Sequence, residues 1–270
     1  MKVQNKVIVV TGGGNGIGRE LVLALLARGA RVAAADMNET ALQETVQLAG
    51  PNSARLSTHV VNVTNREVVE ALPAEVIAAH GAVDGLINNA GIIQPFVRVK
   101  DLDYAAIERV MNVNFYGTLY MTKTFLPHLL ARPEAHIANV SSMGGFLPVP
   151  GQTIYGAAKA AVKLFTEGLH SELSNTNVKV TVIFPGAVGT NIAAHSGVTA
   201  SHAAQQNNGK QAIKPLAPSE AARIMLDGIE RNHYRVMVGP DSTMLDLVYR
   251  FNAPFAARFI SKQMAALLAE

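Results

Sequence analysis

Tyr155 and Lys159 are the pair of side chains in this sequence best suited to proton-transfer chemistry. They lie four residues apart in a stretch predicted to be helical, so both project from one face, one turn apart. A phenol has a reference pKa of about 10, and about 4 kcal/mol of selective phenolate stabilisation would bring that pKa to about 7. One ammonium about 4 Å away supplies roughly that amount at an effective dielectric constant of about 20. Tyr155 is therefore a candidate general base for alcohol oxidation and a candidate general acid for carbonyl reduction.

Ser142 supports this interpretation, because a Tyr-x-x-x-Lys pair alone is often ordinary helix surface. The serine lies thirteen residues before Tyr155, at the end of a predicted strand. Open α/β sheets bind their ligands at strand ends, where a hydroxyl can hold a substrate oxygen beside the tyrosine. A lone serine at such a position also serves as a turn or helix-cap residue, and that alternative stays open.

A glycine-rich turn, Thr-Gly-Gly-Gly-Asn-Gly-Ile-Gly, runs from Thr11 to Gly18 between the first predicted strand and the first predicted helix. Amide groups at a helix N-terminus favour an anion, and a pyrophosphate is the natural occupant. The spacing of Gly12, Gly16 and Gly18 differs from the common dinucleotide fingerprint, in which a single residue separates the first two glycines. Glycines also serve tight turns that bind nothing.

Asp36 indicates which dinucleotide this turn would accept. It ends the second predicted strand, 20 residues after Gly16, where a carboxylate accepts hydrogen bonds from ribose hydroxyls and repels a 2′-phosphate. No Arg or Lys stands at Asn15, Met37 or Asn38, where a 2′-phosphate would need a cation. NAD is therefore the expected cofactor. The alternative is that Asp36 caps the helix that starts near Asn38.

The elements that must position these residues alternate between short apolar strands and helices, which predicts an α/β fold with a doubly wound, parallel, seven-stranded sheet of Rossmann type in a single domain. The predicted strands are Lys6 to Thr11, Arg31 to Asp36, Arg55 to Val61, Gly85 to Asn88, His136 to Ser141, Lys179 to Phe184 and Arg235 to Val238. The predicted helices are Ile17 to Arg28, Glu39 to Ala49, Arg66 to His80, Asp103 to Leu130, Tyr155 to Asn175 and Ser219 to Arg231.

Two segments depart from this alternation. Ala193 to Pro218 is rich in Ala, Ser, His, Gln, Asn and Gly, which predicts a lid or insertion near residues 191–215. The tail, about residues 241–270, mixes aromatic, aliphatic and basic residues around Pro254. We expect two short amphipathic helices there, covering a neighbouring subunit or the mouth of a pocket, or docking on a membrane or a partner protein.

Composition excludes several classes of protein. The 270 residues suffice for one large core, and the absence of cysteine excludes disulfide frameworks and thiol catalysis. The net charge of +3 is dispersed, so no nucleic-acid-binding face is predicted. No apolar run reaches the roughly 18 residues of a membrane span, and no signal peptide is recognisable, so a cytoplasmic location is expected. The eight histidines include no metal-ligand pattern, and no metal site is predicted.

Taken together, these motifs resemble the classical short-chain dehydrogenase/reductase family over residues 5 to about 240. The matching positions are Thr11 to Gly18, Asn88 to Gly91, Asn114 in Asn-Val-Asn, Ser142 with Tyr155 and Lys159, and Pro185-Gly186 with Thr190. The resemblance implies that Tyr155 is the acid/base and that Ser142 orients the substrate oxygen. It also implies that Lys159 lowers the tyrosine pKa and binds the nicotinamide ribose, and that Asn114 holds a water that relays the proton.

The resemblance also implies which residues surround the cofactor. The expected contacts are Gly12, Asn15, Gly16, Ile17, Gly18, Asp36, Met37, Asn62, Val63, Asn89, Ala90, Gly91, Tyr155, Lys159, Pro185, Gly186, Val188 and Thr190. One departure occurs at Asn62-Val63, where the family usually has Asp-Val and the aspartate contacts the adenine amino group. The asparagine side-chain oxygen can still accept that hydrogen bond, so adenine binding is expected to survive.

Nearness to the motifs suggests a mostly apolar substrate wall and therefore a hydrophobic secondary alcohol or ketone. Its expected residues are Gln94, Met143, Phe146, Gln152, Ile192 and His195, together with Ile93, Pro95 and Phe96. The alternatives are an NADPH-dependent carbonyl or 3-oxoacyl reductase and a catalytically silent dinucleotide-binding regulator. Helices Asp103 to Leu130 and Tyr155 to Asn175 resemble the subunit interfaces of the family, which implies a homodimer or homotetramer.

Overall fold

A seven-stranded parallel sheet forms the centre of the molecule, in the order β3-β2-β1-β4-β5-β6-β7. This computed structural model describes residues 1–198 and 215–264. The doubly wound Rossmann-type prediction is confirmed, and each predicted strand lies within one residue of the observed one. The strands are β1 Val7–Thr11, β2 Arg31–Asp36, β3 Leu56–Val60, β4 Gly85–Asn88, β5 Ala135–Val140, β6 Val178–Pro185 and β7 Arg235–Val238.

The helices of the described residues cover both faces of the sheet. They are α1 Gly16–Ala27, α2 Glu39–Ala49, α3 Arg66–His80, α4 Tyr104–Met111, α5 Gly117–Leu130, α6 Thr153–Glu172, α7 Ile192–His195, α8 Pro218–Glu230, α9 Pro240–Phe251 and α10 Ala253–Gln263. One core cluster joins α1, α2 and α8 to the sheet, and a second joins α3, α5 and α6 to the opposite face. Burial on both faces explains why β1, β4 and β5 consist of wholly buried residues.

One predicted helix, Asp103 to Leu130, is interrupted in the structure. Helices α4 and α5 are joined by a π-helical turn, Asn112–Tyr116, in which Asn114 is fully buried. A π-helical turn inserts an extra residue into the helix and rotates the side chains that follow it. The sequence pattern did not predict this turn. The helix predicted for Tyr155 to Asn175 ends three residues earlier, as α6 ends at Glu172.

The predicted lid and tail are described only in part. Residues 199–214 lie outside the described residues, and the flanking segments carry α7 and a bridge between Val188 and Leu216. The two helices expected in the tail are present as α9 and α10, while residues 265–270 lie outside the described residues. The inner face of this helix pair packs on Leu147 in a separate small core with Leu245, Ala256 and Ile260.

Candidate active site

A single cavity of about 740 Å³ joins most of the residues predicted to bind cofactor and substrate. It lies at the carboxyl ends of the strands, where β1 separates β2 from β4 and the winding of the sheet reverses. Open α/β sheets bind ligands at this switch point. Asp36 lines the cavity at the end of β2, and Tyr155 and Lys159 line it at the start of α6.

The glycine turn shapes the floor of this cavity. Asn15 caps α1, and its side chain accepts a hydrogen bond of 2.7 Å from the amide of Gly16. Gly18 lies outside the cavity lining, but a Cβ there would stand 1.9 Å from the carbonyl oxygen of Gly12. The first turn of α1 can therefore approach the loop closely only without a side chain at Gly18. This close approach presents the helix N-terminus to the cavity, which suits an anionic group.

Asp36 connects the glycine turn to the second helix. Its Oδ2 accepts a hydrogen bond of 3.0 Å from the amide of Gly14, and its Oδ1 accepts one of 3.0 Å from the amide of Asn38. The cap of α2 is Asn38, whose Oδ1 accepts from the amide of Ala41. Asp36 therefore does not cap that helix, and its carboxylate lines the cavity. A carboxylate in this setting has lone pairs left for hydroxyl donors.

The loop after β4 forms the next part of the wall. Thr11 fixes it, because its Oγ1 accepts hydrogen bonds of 3.0 Å from the amides of both Asn89 and Ala90. Asn89, Ala90 and Gly91 all line the cavity, as Asn62 and Val63 do from the loop after β3. The Oδ1 of Asn62 accepts from the amide and the hydroxyl of Thr64, so it shapes its own loop as well as facing the cavity.

The predicted catalytic triad converges at the start of α6. Ser142, Tyr155 and Lys159 line the cavity together, and the ammonium of Lys159 lies 5.9 Å from the centre of the Tyr155 ring. The Nζ of Lys159 donates a hydrogen bond of 2.9 Å to the carbonyl of Val140. Ser142 Oγ accepts one of 3.0 Å from the amide of Gly144. The Ser142 hydroxyl thus shapes its own turn, and it also forms a hydrogen bond with the phenol of Tyr155.

Burial is the largest cause of the pKa shifts of Tyr155 and Lys159. It raises the pKa of Tyr155 above the usual value for a phenol, while a hydrogen bond with Ser142 acts in the opposite direction. It lowers the pKa of Lys159 to about 8, because an ammonium loses its hydration in the protein interior. The raised pKa of Tyr155 differs from the sequence-based expectation, which counted the nearby positive charge and neglected the loss of water around the phenol.

Asn114 holds the loop that faces Lys159. Its Oδ1 accepts from the amide of Ile92 and its Nδ2 donates to the carbonyl of the same residue, both at 2.9 Å. A Cβ at Gly91 would stand 2.9 Å from Asn114 Oδ1 and 3.1 Å from Lys159 Nζ. Asn114 does not line the cavity, so the structure places it one layer behind the reacting groups.

The segment after β6 completes the cavity with Pro185, Gly186, Val188, Thr190, Ile192 and His195. Sequence reasoning missed what anchors it. The Oδ2 of Asp241 accepts a hydrogen bond of 2.7 Å from the amide of Ala187, and Ser242 Oγ donates one of 2.8 Å to the carbonyl of Phe184. Asp241 is buried in the first turn of α9, and an acidic residue directly after Gly239-Pro240, at a predictable helix start, is the signal that could have identified it.

Six of the nine expected substrate residues do not line the cavity, namely Gln94, Pro95, Phe96, Met143, Phe146 and Gln152. Phe146 packs with its ring centre 5.6 Å from that of Phe184 and 6.2 Å from that of Tyr249, and Met143 packs against the same small core. Gln94 and Gln152 are buried and bonded to each other, since Gln152 Nε2 donates to the carbonyl of Gln94 at 2.8 Å. Ile92, Ile93 and Val113 line the wall; of these, Ile92 and Val113 were missed as candidate residues.

Gln94 has a structural role at the start of α6. Its Oε1 accepts hydrogen bonds from the amides of Ile154 at 2.8 Å and Tyr155 at 3.0 Å, and its side chain is fully buried. The residue at the cap position of α6, Gln152, makes no side-chain cap bond of its own. Gln94 therefore satisfies the free amides at this helix end from a distant loop.

Replacing Gln94 with Leu is expected to lower the free energy of unfolding by about 2 kcal/mol, because two buried amides lose their acceptor. The kcat should fall about tenfold, since the backbone of Tyr155 loses its support. Chemical denaturation and steady-state kinetics measure both effects. Gln94→Glu keeps the acceptor oxygen and should restore most of kcat; a Glu variant as impaired as the Leu variant would contradict the positioning role.

Comparisons with known proteins agree with this geometry. The short chain dehydrogenase family model matches residues 6–200, and the chain therefore belongs to the short-chain dehydrogenase/reductase family. It is similar to a Mycobacterium tuberculosis protein that carries the oxidoreductase name SadH, with 36% identity over 97% of this chain and 96% of that protein. The protein is thus an oxidoreductase of this family with a nucleotide-binding fold.

Two solved structures share the fold and differ in their cofactor. A short-chain dehydrogenase/reductase of Burkholderia phymatum in complex with NAD has a TM-score of 0.84 and 25% identity, covering 94% of this chain and 96% of that one. A short-chain dehydrogenase of Burkholderia cenocepacia in complex with NADP has a TM-score of 0.79 and 27% identity, covering 98% and 99%. Structural neighbours thus bind either dinucleotide.

The cavity fits such a dinucleotide by its own chemistry. The open end of α1, the Asp36 carboxylate and the group formed by Ser142, Tyr155 and Lys159 line one continuous volume, and their chemistry suits a pyrophosphate, a ribose and a reacting group. Within the described part of the chain, no group of three or more His, Cys, Asp or Glu side chains is arranged to hold a metal ion. No helix among residues 1–198 and 215–264 is long and apolar enough to cross a membrane.

Proposed function

We propose that this protein is an NAD(H)-dependent oxidoreductase that interconverts a secondary alcohol and a ketone. The observation that supports this proposal best is one cavity lined by the Asp36 carboxylate and by Ser142, Tyr155 and Lys159. The triad supplies a proton donor and acceptor beside a hydroxyl that can hold the substrate oxygen. The Asp36 carboxylate favours NAD, because it would accept hydrogen bonds from ribose hydroxyls and repel a 2′-phosphate.

The chain's own residues account for the proton in this reaction. The nicotinamide, when bound, accepts hydride from the alcohol carbon or returns it to the carbonyl carbon. Ser142 holds the substrate oxygen, and Tyr155 takes the hydroxyl proton during oxidation and returns it during reduction. Lys159 stabilises the phenolate, and its bond to Val140 fixes its position. Asn114 keeps the backbone of Ile92 beside this site, and we propose that a water there passes the proton outward.

The pKa of Tyr155 links cofactor and catalysis. Burial raises this pKa in the cofactor-free cavity, so the phenol stays protonated and suited to donate a proton to a carbonyl. A positive charge close to the phenol would lower this pKa. We therefore expect alcohol oxidation to rise with pH more steeply than carbonyl reduction, which pH profiles of the two directions would measure.

The charges around the cavity favour NAD over NADP. Asp36 and Glu39 line the ribose end, and within the described residues the only lysine or arginine in the lining is Lys159, at the catalytic end. Arg19, which is close in sequence, donates to the carbonyl of Gly14 at 2.9 Å and pairs with Glu44 at 2.6 Å. Among the described residues, a 2′-phosphate would therefore meet a carboxylate and no free cation at this end.

Asp36→Ala is expected to weaken NAD⁺ binding about tenfold or more, because a charge-assisted hydrogen bond is worth about 1.5–3 kcal/mol. The preference for NAD⁺ over NADP⁺ should fall towards parity, since the repulsion of a 2′-phosphate is also removed. Titration with both dinucleotides measures the ratio. Glu39→Ala removes the second carboxylate at this end and should lower the ratio by less than Asp36→Ala does; an unchanged ratio in Asp36→Ala would remove the basis for assigning NAD.

The substrate end of the cavity favours a hydrophobic substrate. Ile92, Ile93, Val113 and Ile192 line it, together with the exposed polar side chains of Asn191 and His195. Apolar walls reward apolar substituents by about 0.8 kcal/mol for each buried methylene. A series of secondary alcohols of increasing chain length should therefore show rising kcat/KM.

We also propose a homodimer or homotetramer that associates through α4, α5 and α6. Tyr104, Tyr116, Leu130 and Leu164 on these elements are exposed, and Tyr104 and Leu164 are 83% and 69% accessible. Large exposed apolar side chains on neighbouring helices are typical of an isologous interface. Sedimentation measurements on Leu164→Glu would test this interface, with dissociation as the expected result.

The experiment that tests the proposed function is a titration with NAD⁺ and NADP⁺ followed by a screen of secondary alcohols at the absorbance band of reduced nicotinamide. Turnover with NAD⁺ that disappears in Tyr155→Phe would support the proposal. Turnover with NADPH and not NADH would favour an NADPH-dependent carbonyl reductase. Tight dinucleotide binding without turnover across the panel would favour a silent regulator.

A further inference from the structure

The outer face of α9 and α10 presents a group of large apolar side chains that the fold does not cover. They follow helical spacing and are Met244, Leu247, Phe251, Phe255 and Phe259. Phe251 is 85% exposed, and the rings of Phe255 and Phe259 stack with their centres 6.4 Å apart. We call these five residues the tail face. Their exposure contrasts with the inner side of the same helices, where Leu245, Ala256 and Ile260 are buried.

The charges beside the tail face are positive. Arg258 and Lys262 lie on the exposed side of α10, one turn from Phe255 and Phe259, and within the described residues neither has an ion-pair partner. Arg250 on α9 pairs with Asp246 at 2.9 Å, and Asp246 also binds Arg235. The other carboxylate of these two helices, Asp241, is buried against Ala187. Described residues 240–264 therefore expose no unpaired acid.

The combination of exposed apolar side chains and unpaired basic side chains indicates which kind of partner would bind the tail face. A second copy docked by the same face about a twofold axis would bring Arg258 and Lys262 close to their own copies, with no exposed acid in described residues 240–264 to oppose them. The surface of a bilayer with anionic headgroups offers acyl chains for the phenylalanines and negative charge for the basic residues at the same time. One partner would therefore bind both the apolar side chains of the tail face and the basic side chains beside it.

We propose that the tail face docks on an anionic lipid bilayer. The docked helices would lie on the membrane surface, with the phenylalanine side chains in the headgroup region and the cations among the phosphates. The helix pair is also joined to the cavity wall, since Asp241 holds the segment after β6, Ser242 binds the end of β6, and Tyr249 packs on Phe146, four residues after Ser142. Docking would bring a cavity with apolar walls to the phase in which hydrophobic alcohols and ketones accumulate.

The test is co-sedimentation of the purified full chain with vesicles of phosphatidylglycerol and phosphatidylcholine, compared with vesicles of phosphatidylcholine alone. We expect binding to the anionic vesicles and a steep decrease as salt is added, because the cations act through a screened potential. The measurement needs neither cofactor nor turnover, so its outcome is independent of the proposed function.

Two double variants separate the apolar and electrostatic contributions. Arg258→Glu with Lys262→Glu should reduce the partition coefficient about 30-fold or more, since each basic residue near an anionic surface contributes about fivefold. Phe255→Ser with Phe259→Ser should reduce it about tenfold on both kinds of vesicle. The matched controls are Lys100→Glu with Lys179→Glu and, separately, Leu48→Ser, which change exposed residues elsewhere and should leave partitioning unchanged.

Circular dichroism and turnover without vesicles serve to show that the variants remain folded, because none of the changed residues lines the cavity. Equal sedimentation with and without anionic lipid would overturn the proposal. So would tail-face variants that keep their partitioning, or variants that lower the oligomeric state in the absence of lipid, which would instead assign the tail face to a second copy of the chain.

Discussion

Tyr155→Phe is expected to lower kcat about 10³-fold while leaving the binding of NAD⁺ nearly unchanged. General acid–base catalysis contributes about 10²- to 10⁴-fold, and the phenylalanine ring keeps the packing of the tyrosine while losing the proton that moves. Tyr155 is the only tyrosine among the described residues that line the cavity, so no other phenol replaces its hydroxyl. Steady-state kinetics and dinucleotide titration of the same preparation measure both quantities.

Tyr249→Phe is the matched control for this substitution. Its ring packs on Phe146, close in sequence to Ser142, but it does not line the cavity, and removal of its hydroxyl should change kcat less than about twofold. A Tyr155→Phe enzyme with kcat within tenfold of the unchanged protein would exclude Tyr155 as the proton-transfer residue. Equal losses in both variants would point to a disturbed loop after β5 instead.

The strands of this fold were predictable because their burial is local in sequence. The run Val7 to Val10 is apolar throughout, and Val180 to Phe184 is apolar except for Thr181; a strand buried on both faces needs such a run. The glycine turn, Asp36 and the start of α6 follow from the strands, because parallel topology brings the carboxyl ends of the strands to one edge. The cavity accordingly contains most of the residues that the motifs indicated.

The π-helical turn at Asn112–Tyr116 shows where sequence patterns fail. The segment contains no proline or glycine, and the helical pattern continues through it, so nothing local indicates an extra residue. The turn is compatible with tertiary bonds, in which Asn114 binds the backbone of Ile92 from another loop. Contacts between distant parts of the fold decide whether a π-helical turn forms, and a single sequence does not show these contacts.

Gln94 and Phe146 were expected to line the substrate wall but do not line the cavity, for a related reason. Nearness to a motif in sequence gave no information on the direction of either side chain. Gln94 turns towards the free amides of α6, because a buried helix end without partners would cost more than a lost substrate contact. Phe146 turns towards Phe184 and the tail helices, whose position was not predictable from the strand pattern.

Lys159→Met is expected to make the protein more stable and nearly inactive. Burial lowers the pKa of Lys159 from 10.5 to about 8, so keeping its ammonium in the folded protein costs about 3 kcal/mol at neutral pH. Methionine fills a similar volume without a charge but leaves the carbonyl of Val140 without the bond from Nζ, which returns about 1 kcal/mol of that gain. The net increase in the free energy of unfolding should be about 2 kcal/mol.

The pH dependence gives this prediction its sign. The unfolded chain holds the lysine proton up to a pH near 10.5, whereas the folded protein releases it near 8, so the unfolded state binds more protons between these values. The destabilisation by Lys159 is therefore complete below about pH 8 and disappears as the pH rises towards 10.5. Urea denaturation of both proteins across this range should show the advantage of Lys159→Met shrinking with pH.

Measurements of kcat distinguish the loss of the Lys159 ammonium from a change in packing alone. Lys159→Met should lower kcat about 10²-fold or more, because the phenolate of Tyr155 loses the cation that stabilises it. Lys163→Met, one turn further along α6, removes an ammonium that pairs with Glu167 at 2.8 Å and is partly exposed; it should alter stability by less than about 0.5 kcal/mol and leave kcat intact. A Lys159→Met protein that is less stable than the unchanged one at neutral pH would mean that the bond to Val140 outweighs the cost of burying the charge. The protein would then retain Lys159 for stability as well as for catalysis.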